Sequence, residues 1–119
     1  MRPHHDLRVW QEAMELVTRV YSLTNAFPAD ERFGLTSQVR RASVSVPSNI
    51  AEGAARGSRK EFIHFLTIAR GSLSELDTQL RIARNLGFAA DIDSLVADVE
   101  RLQAGVGSLI KSQRVRLTD

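Results

Sequence analysis

A chain of 119 residues that is 43% hydrophobic and 25% charged has the composition of one folded globular domain, not of a disordered segment. It contains no cysteine, which excludes disulfide bonds and thiolate metal sites. No apolar run approaches the ~20 residues that span a bilayer, and the N-terminal residues lack an apolar signal-peptide core. We therefore expect a cytoplasmic protein with no membrane partner, and the net charge of +2 does not by itself indicate nucleic-acid binding.

The first predicted helix, residues 7–27, carries two apolar stripes side by side, each with the three- or four-residue spacing of a helix. Asp6 stands at the N-cap position, and Pro28 ends the segment. A helix with one face toward a core needs only one such stripe, so the other indicates a further apolar contact. The stripes are Leu7, Trp10, Met14, Val17 and Tyr21, and Ala13, Leu16, Val20, Leu23 and Phe27.

The second predicted helix covers residues 35–56, although residues 43–46 alternate between serine and valine like a strand. Apolar residues from Leu35 to Ala54 recur every three or four positions. A helical stripe of that length outweighs four alternating residues. The helix reading is therefore preferred over the strand reading.

Pro47 lies inside this second helix, where it lacks an amide hydrogen and disfavours helical geometry at Val46. Two shorter helices would make Val46 an N-cap, for which valine is a poor residue. We therefore expect one helix that is kinked at Pro47. The freed carbonyl groups would be bonded by Ser43 or Ser45, by water or by a neighbour.

Small residues surround Pro47 and allow a helix of the same chain or of another subunit to approach closely. On one face of this segment, polar and charged side chains follow one another at helical spacing. This face is either an ordinary solvated surface or a subunit contact in which Glu52 pairs with an arginine. The residues that we assign to a subunit interface are Arg41, Ser45, Pro47, Asn49 and Glu52.

The third predicted helix, residues 59–86, is the longest and follows a clear junction. Gly57 can adopt the left-handed conformation that ends a helix, and Ser58 with Glu61 forms a capping box. Apolar residues then alternate at spacings of four and three, as in a coiled-coil seam. They are Phe62, Leu66, Ala69, Leu73, Leu76, Leu80 and Ala83.

The fourth predicted helix, residues 92–113, begins after Gly87 and a cap at Asp91. Four amphipathic helices with short connections predict an all-α fold, an antiparallel up-down-up-down four-helix bundle that forms a single domain over residues 1–119. The surplus of apolar surface predicts a homo-oligomer. The alternative is a monomer with a thick core.

Residues suited to catalysis or metal binding are sparse. Glu61 and His64 have the Glu-x-x-His spacing of di-iron bundles, but the chain has no second copy of that pair. His4 and His5 precede the first helix, and the serines lie in no nucleophile-elbow pattern. We expect no enzyme activity, no metal, no cofactor and no small-molecule substrate.

Five segments between about Asp6 and Gly87 stand out as motifs: DLRVWQEAMEL, ERFGLTSQVRRASVSVPSNIAEG, EFIHFL, ARGSLSELDTQL and ARNLG. They resemble the successive signatures of one small bacterial family, the four-helix bundle proteins first named for proteins encoded in intervening sequences of 23S ribosomal RNA genes. The resemblance implies an antiparallel bundle, commonly assembled as a pentameric ring, with no known catalytic activity. A related branch serves as the accessory protein of diversity-generating retroelements, where a basic surface of the ring binds nucleic acid and reverse transcriptase.

One end of the predicted bundle is basic, because the N-terminus, the second connection and the C-terminus meet there. Eight cations, including Arg2, face Asp6, Glu61 and Asp119, an excess of five positive charges. A cyclic oligomer would align these ends into a basic rim, the electrostatic footprint of a protein that binds phosphate backbones. The alternative is a flexible, solvated end. The residues that we assign to nucleic-acid binding are Arg8, Arg56, Arg59, Lys60, Lys111, Arg114 and Arg116.

No aromatic platform is expected beside these cations, so any binding should be independent of base sequence and sensitive to salt. The leading hypothesis is a non-enzymatic homo-oligomeric scaffold, a pentamer by the family resemblance, that binds RNA or DNA through its basic rim. The alternative is a protein–protein interaction adaptor without nucleic-acid binding, which would use the acidic opposite end or the centre of the ring.

Overall fold

The computed structural model describes residues 4–117 and shows helices but no strand among them, which confirms the all-α prediction. The helices form a bundle that measures 50 × 21 × 20 Å. A short 3-10 helix, Ala29–Glu31, lies in the first connection. The α-helices are α1 (Arg8–Thr24), α2 (Leu35–Ala55), α3 (Arg59–Asn85) and α4 (Ile92–Leu117).

Side-chain hydrogen bonds between helices show their relative directions. Arg40 Nε, near the start of α2, donates to Thr24 Oγ1 at the end of α1 over 2.8 Å. Arg59 Nη1, at the start of α3, donates to Gln113 Oε1 near the end of α4, also over 2.8 Å. In each pair the start of one helix meets the end of the other, so these helices run antiparallel. Packing follows chain order and closes with α1 against α4.

The ends of α1 and α4 differ from the predicted positions. Asp6 is not the N-cap of α1, because Leu7 occupies that position and makes no capping hydrogen bond with its side chain. The helix ends at Thr24, whose hydroxyl donates to the carbonyl of Val20 over 2.8 Å. Such a bond from a threonine to the preceding turn competes with continuation of the helix. At the other end of the chain, α4 continues to Leu117, four residues beyond the expected end.

Only one of the two apolar stripes of α1 builds the core. Met14 and Tyr21 of the other stripe are 46% and 41% exposed. Burial of each large apolar side chain contributes about 1.5–3 kcal/mol to folding. The stripe that contains Ala13, Leu16 and Val20 therefore supplies most of the stabilisation that α1 gives to the bundle. The buried apolar residues of this segment are Val9, Ala13, Leu16, Val20 and Phe27.

The predicted seam of α3 is buried except at its first member. Phe62 is only half-buried, and the next residue, Ile63, is 9% exposed and takes the core position in its place. The rest of the seam faces the other helices. Its buried residues are Leu66, Ala69, Leu73, Leu76, Leu80 and Ala83.

Helix α2 runs through Pro47 as one helix, in agreement with the choice of one helix over two. Two side chains located after Pro47 in the sequence donate hydrogen bonds to carbonyl groups of residues that precede it. Ser48 Oγ donates to the carbonyl of Val44 over 2.8 Å, and Asn49 Nδ2 donates to that of Ser45 over 2.8 Å. The serines before the proline bond elsewhere, Ser43 Oγ to the carbonyl of Arg40 and Ser45 Oγ to Ser72 Oγ, each over 2.8 Å. The kink at Pro47 stays a prediction.

The end of α2 and the start of α3 touch at Gly53. A Cβ atom placed on Gly53 would lie 2.7 Å from Phe65 Cβ and 3.2 Å from Phe62 Cδ1. Real Cβ atoms do not approach other atoms at the first of these distances, so only glycine allows this contact without movement of the backbone. The predicted close approach of small residues therefore occurs within the chain, between α2 and α3.

The junction between α2 and α3 has the predicted chemistry. Gly57 has a φ of 81°, the left-handed conformation that ends a helix. Ser58 is the N-cap of α3, and its Oγ accepts a hydrogen bond from the amide of Glu61 over 3.1 Å. This bond satisfies one of the free amides at the start of the helix. The tight junction brings the cations at residues 56, 59 and 60 together.

Candidate nucleic-acid interface

The predicted cations come from four places in the chain that the bundle brings to one end. The hydrogen bond from Arg59 to Gln113 joins the start of α3 to the end of α4. Leu7, which precedes Arg8, lines the same cleft as these two residues. This end therefore holds the whole predicted set, which is Arg8, Arg56, Arg59, Lys60, Lys111, Arg114 and Arg116.

Two of these cations form ion pairs with carboxylates of their own helix or of the next. Arg56 Nε lies 3.1 Å from Glu52 Oε2, and its Nη1 lies 3.6 Å from Glu61 Oε2. Arg8 Nε lies 4.0 Å from Glu12 Oε1. All of these side chains are at least 45% exposed, so the pairs contribute little to stability. They do lower the positive potential at this end.

The net charge of this end is smaller than the sequence indicated. Seven cations face the carboxylates of Asp6, Glu12, Glu52 and Glu61, which leaves an excess of three positive charges within residues 4–117. Glu12 and Glu52 were not counted in the prediction, although their four-residue spacing from Arg8 and Arg56 is the spacing of helical ion pairs. Two helix N-termini and two C-termini meet here, so the helix dipoles largely cancel.

Four of the cations remain free to bind an external anion. Their side chains are exposed and form no hydrogen bond or ion pair with any residue from 4 to 117. One lies at the start of α3, and the other three lie in the C-terminal part of α4. They are Lys60, Lys111, Arg114 and Arg116.

Aromatic side chains do lie at this end, so the expectation of no aromatic platform was wrong. The guanidinium carbon of Arg56 lies 5.0 Å from the centre of the Phe65 ring, a distance typical of a cation–π contact. The half-buried Phe62 lines a cleft together with Arg59. Helical periodicity had assigned Phe62 to the core, and only its place beside the junction reveals the exposed part of its ring.

The residues assigned to a subunit interface are partly used inside the chain. The hydroxyl groups of Ser45 in α2 and Ser72 in α3 are hydrogen-bonded over 2.8 Å. Asn49 Nδ2 donates to Ser45 Oγ over 2.9 Å. Glu52 pairs with Arg56 of the same chain, where the sequence had suggested an arginine of another subunit. Of these contacts, the bond between Ser45 and Ser72 joins α2 to α3.

Pro47 lies on the opposite side of α2 from these polar residues. It is buried and lines an apolar groove of about 370 Å³ between α1 and α2. Trp10, Met14 and Val17 of the first α1 stripe also line this groove. Val44 contributes a further wall from α2. The predicted interface residues therefore belong to two separate surfaces.

Arg41 lies on the same side of α2 as Ser45, in a polar groove between α2 and α3 that also contains Glu75 and Gln79. Gln79 is 8% exposed, and its Oε1 has no hydrogen-bond partner within the described residues. An unsatisfied buried acceptor is uncommon in folded proteins. The periodicity of α3 gave no signal for it, because Gln79 occupies an ordinary helical position.

Neither a metal centre nor a membrane span is present within residues 4–117. No group of three or more histidine, aspartate or glutamate side chains is arranged to hold a metal ion there. No helix in that range is long and apolar enough to cross a membrane.

The chain is similar to known proteins over most of its length. The family model of the 23S rRNA-intervening sequence proteins matches residues 5–108. The crystal structure of a protein of unknown function from the S23 ribosomal protein family of Bacteroides thetaiotaomicron is similar, with a TM-score of 0.77 and 25% identity. The similarity covers 87% of this chain and 98% of that one. No protein of curated function matches. The matched length and the shared bundle show that the chain belongs to the 23S rRNA-intervening sequence protein family.

Proposed function

We propose that the protein is a non-enzymatic homo-oligomeric scaffold that binds RNA or DNA through its basic end. The observation that carries this proposal is a set of four exposed cations that have no partner among residues 4–117, namely Lys60, Lys111, Arg114 and Arg116. Cations that are not neutralised within the protein can displace counterions from a phosphate backbone, which favours binding at low salt. Such contacts carry no base sequence information.

The apolar groove between α1 and α2 supports assembly with further copies of the chain. Met14 and Val44 in its walls are 46% and 40% exposed. A cyclic ring requires two different patches, since each subunit contacts its two neighbours through different surfaces. Ile82 and Leu86 at the end of α3, one turn apart and 43% and 59% exposed, supply the second patch. We propose that the α3 patch of one subunit occupies the groove of the next.

The family resemblance implies a ring of five subunits, and we propose the same number here. Cyclic symmetry places the same end of every subunit on one face of the ring. The excess of three positive charges per chain would then be repeated around that face. A repeated weak electrostatic contact gives a much higher overall affinity than one contact, because each further contact is intramolecular.

An adaptor that binds another protein is the second candidate, and one observation favours it. Phe33, in the first connection at the opposite end of the bundle, is 90% exposed. It follows Asp30 and Glu31 in the chain. An exposed aromatic side chain beside charged residues is a common feature of protein-binding surfaces.

Titration of labelled single- and double-stranded RNA and DNA at about 50 mM and about 200 mM salt tests the leading proposal. We expect binding at the lower salt concentration and a loss of affinity by orders of magnitude at the higher one. Light scattering after size-exclusion chromatography must show that the oligomer is intact under both conditions. Absence of binding to every probe at the lower salt concentration would contradict the proposal and favour the adaptor.

A further inference from the structure

A cleft of about 250 Å³ opens at the basic end of the bundle, between the start of α1, the junction of α2 with α3, and the end of α4. Phe62 and Leu7 form apolar walls, and Gly53 and Ala54 give it a lining of small residues. We propose that this cleft binds one unpaired nucleobase of a nucleic-acid strand whose phosphates contact the surrounding cations. This inference rests on the proposed function and adds to it a specific site.

The size and lining of the cleft fit one flat ring system. Its volume is below the ~300–1,000 Å³ usual for sites that hold drug-sized ligands. The cleft stays open because Gly53 and Ala54 present little or no side chain there, while Gly53 also holds α2 close to α3. Phe62 offers an aromatic surface, and stacking on aromatic side chains is the usual means of holding an unpaired base.

The polar side of the cleft carries an unused hydrogen-bond donor. Gln113 is 9% exposed, and its Oε1 accepts a hydrogen bond from Arg59 Nη1 over 2.8 Å. This bond directs the amide, whose Nε2 group has no acceptor among residues 4–117. An amide donor of this kind suits a carbonyl oxygen or ring nitrogen on the edge of a base.

The cations around the cleft are placed for the phosphates on either side of a bound base. Arg59 uses one of its five N–H donors on Gln113, and the guanidinium group can direct others to a phosphate oxygen. Lys60, next to the cleft residue Arg59 in the chain, is exposed and has no partner among residues 4–117. Because a base must leave the duplex to enter the cleft, the site predicts a preference for single strands.

The test compares two labelled strands of equal length and charge, oligothymidine and an abasic deoxyribose-phosphate strand. We expect the wild-type protein to bind the strand with bases about tenfold more tightly, which corresponds to the stacking of one base. Ala54→Leu fills the cleft without a change in charge. It should abolish this preference and leave the affinity for the abasic strand unchanged. Ala55→Leu, at the exposed next position and outside the lining, is the matched control and should keep the preference.

Phe62→Leu provides a second variant, since it removes the aromatic surface and keeps an apolar side chain. It should reduce the tenfold preference without weakening abasic binding. Equal affinity of the wild-type protein for the two strands would overturn the base site and leave the proposed function standing. A preference that survives in both Ala54→Leu and Phe62→Leu would also overturn it. If the protein binds neither strand, both the proposed function and this inference are overturned.

Discussion

The two sides of α2 use one short stretch of sequence in opposite ways. Toward α3 the stretch is closed, because Gly53 allows backbone contact with Phe65 and Ser45 is hydrogen-bonded to Ser72. Toward α1 the same turns leave an apolar groove around Pro47. The comparison indicates that the small residues of this stretch stabilise the single bundle, while the apolar groove is the surface at which we propose that a second copy binds.

The largest expected effect is on the oligomeric state, after a substitution in the apolar groove between α1 and α2. Met14→Glu places a charge in the groove, where an occupying subunit would have to bury it at a cost of several kcal/mol. We expect light scattering to show single chains of 13.2 kDa, with the helical circular dichroism signal retained. Ala104→Glu, at an exposed position of α4, adds the same charge outside the groove and should leave the oligomer intact.

A mixture of two variants sharpens this prediction. Ile82→Glu should also give single chains, because it damages the patch on α3 that we place in the groove. Mixed with Met14→Glu it can form one intact contact, between the undamaged groove of one chain and the undamaged patch of the other. We expect a species of about twice the 13.2 kDa chain mass. If the mixture stays monomeric at high concentration, the groove and this patch are not partners.

The next largest effect is on the free energy of unfolding, after a substitution in the contact between α2 and α3. Gly53→Ala inserts a Cβ atom 2.7 Å from Phe65 Cβ, and we expect a loss of about 1–3 kcal/mol in the free energy of unfolding, typical of overpacking. Gly71→Ala is the matched control, since nothing lies within 4 Å of its added Cβ. That substitution in α3 should stabilise by about 0.5–1 kcal/mol. Urea unfolding measures both, and equal signs for the two variants would contradict the close contact.

The smallest effect compares two serines of α2, Ser45 in the polar groove toward α3 and Ser48 in the apolar groove toward α1. Ser45→Ala removes the hydrogen bonds to Ser72 and Asn49, and we expect a loss of about 0.5–1.5 kcal/mol in the free energy of unfolding. Within residues 4–117, the Ser48 hydroxyl bonds only to a carbonyl of its own helix. Ser48→Ala should therefore change stability by less than Ser45→Ala, because alanine also has the higher helix propensity. A larger loss for Ser48→Ala would reverse the comparison.

The periodic spacing of apolar residues was sufficient to predict the helices and most of the core, because that signal is local to each helix. It did not show which of the two α1 stripes faces the core, since this depends on where α2 and α4 lie. The contact of Gly53 with Phe65 depends on two helices and has no signature in either one. The ion pairs of Arg8 and Arg56 could have been predicted from their spacing.

The candidate site was predicted in outline and corrected in detail. Charge and topology together placed the cations at one end. The partial exposure of Phe62 was missed, because periodicity assigns a residue to a face of the helix and gives no information about the end of a bundle. The cleft beside it combines three separate parts of the chain. Its existence follows only from their arrangement in space.

The salt dependence of nucleic-acid affinity tests the central claim most directly. Lys60→Gln with Lys111→Gln should reduce the slope of log affinity against log salt by about 0.7 for each phosphate of a single strand that the variant no longer neutralises. Arg32→Gln with Arg101→Gln removes the same charge from side chains away from the basic end and should leave the slope unchanged. Equal slopes for the two double variants would contradict binding through the basic end.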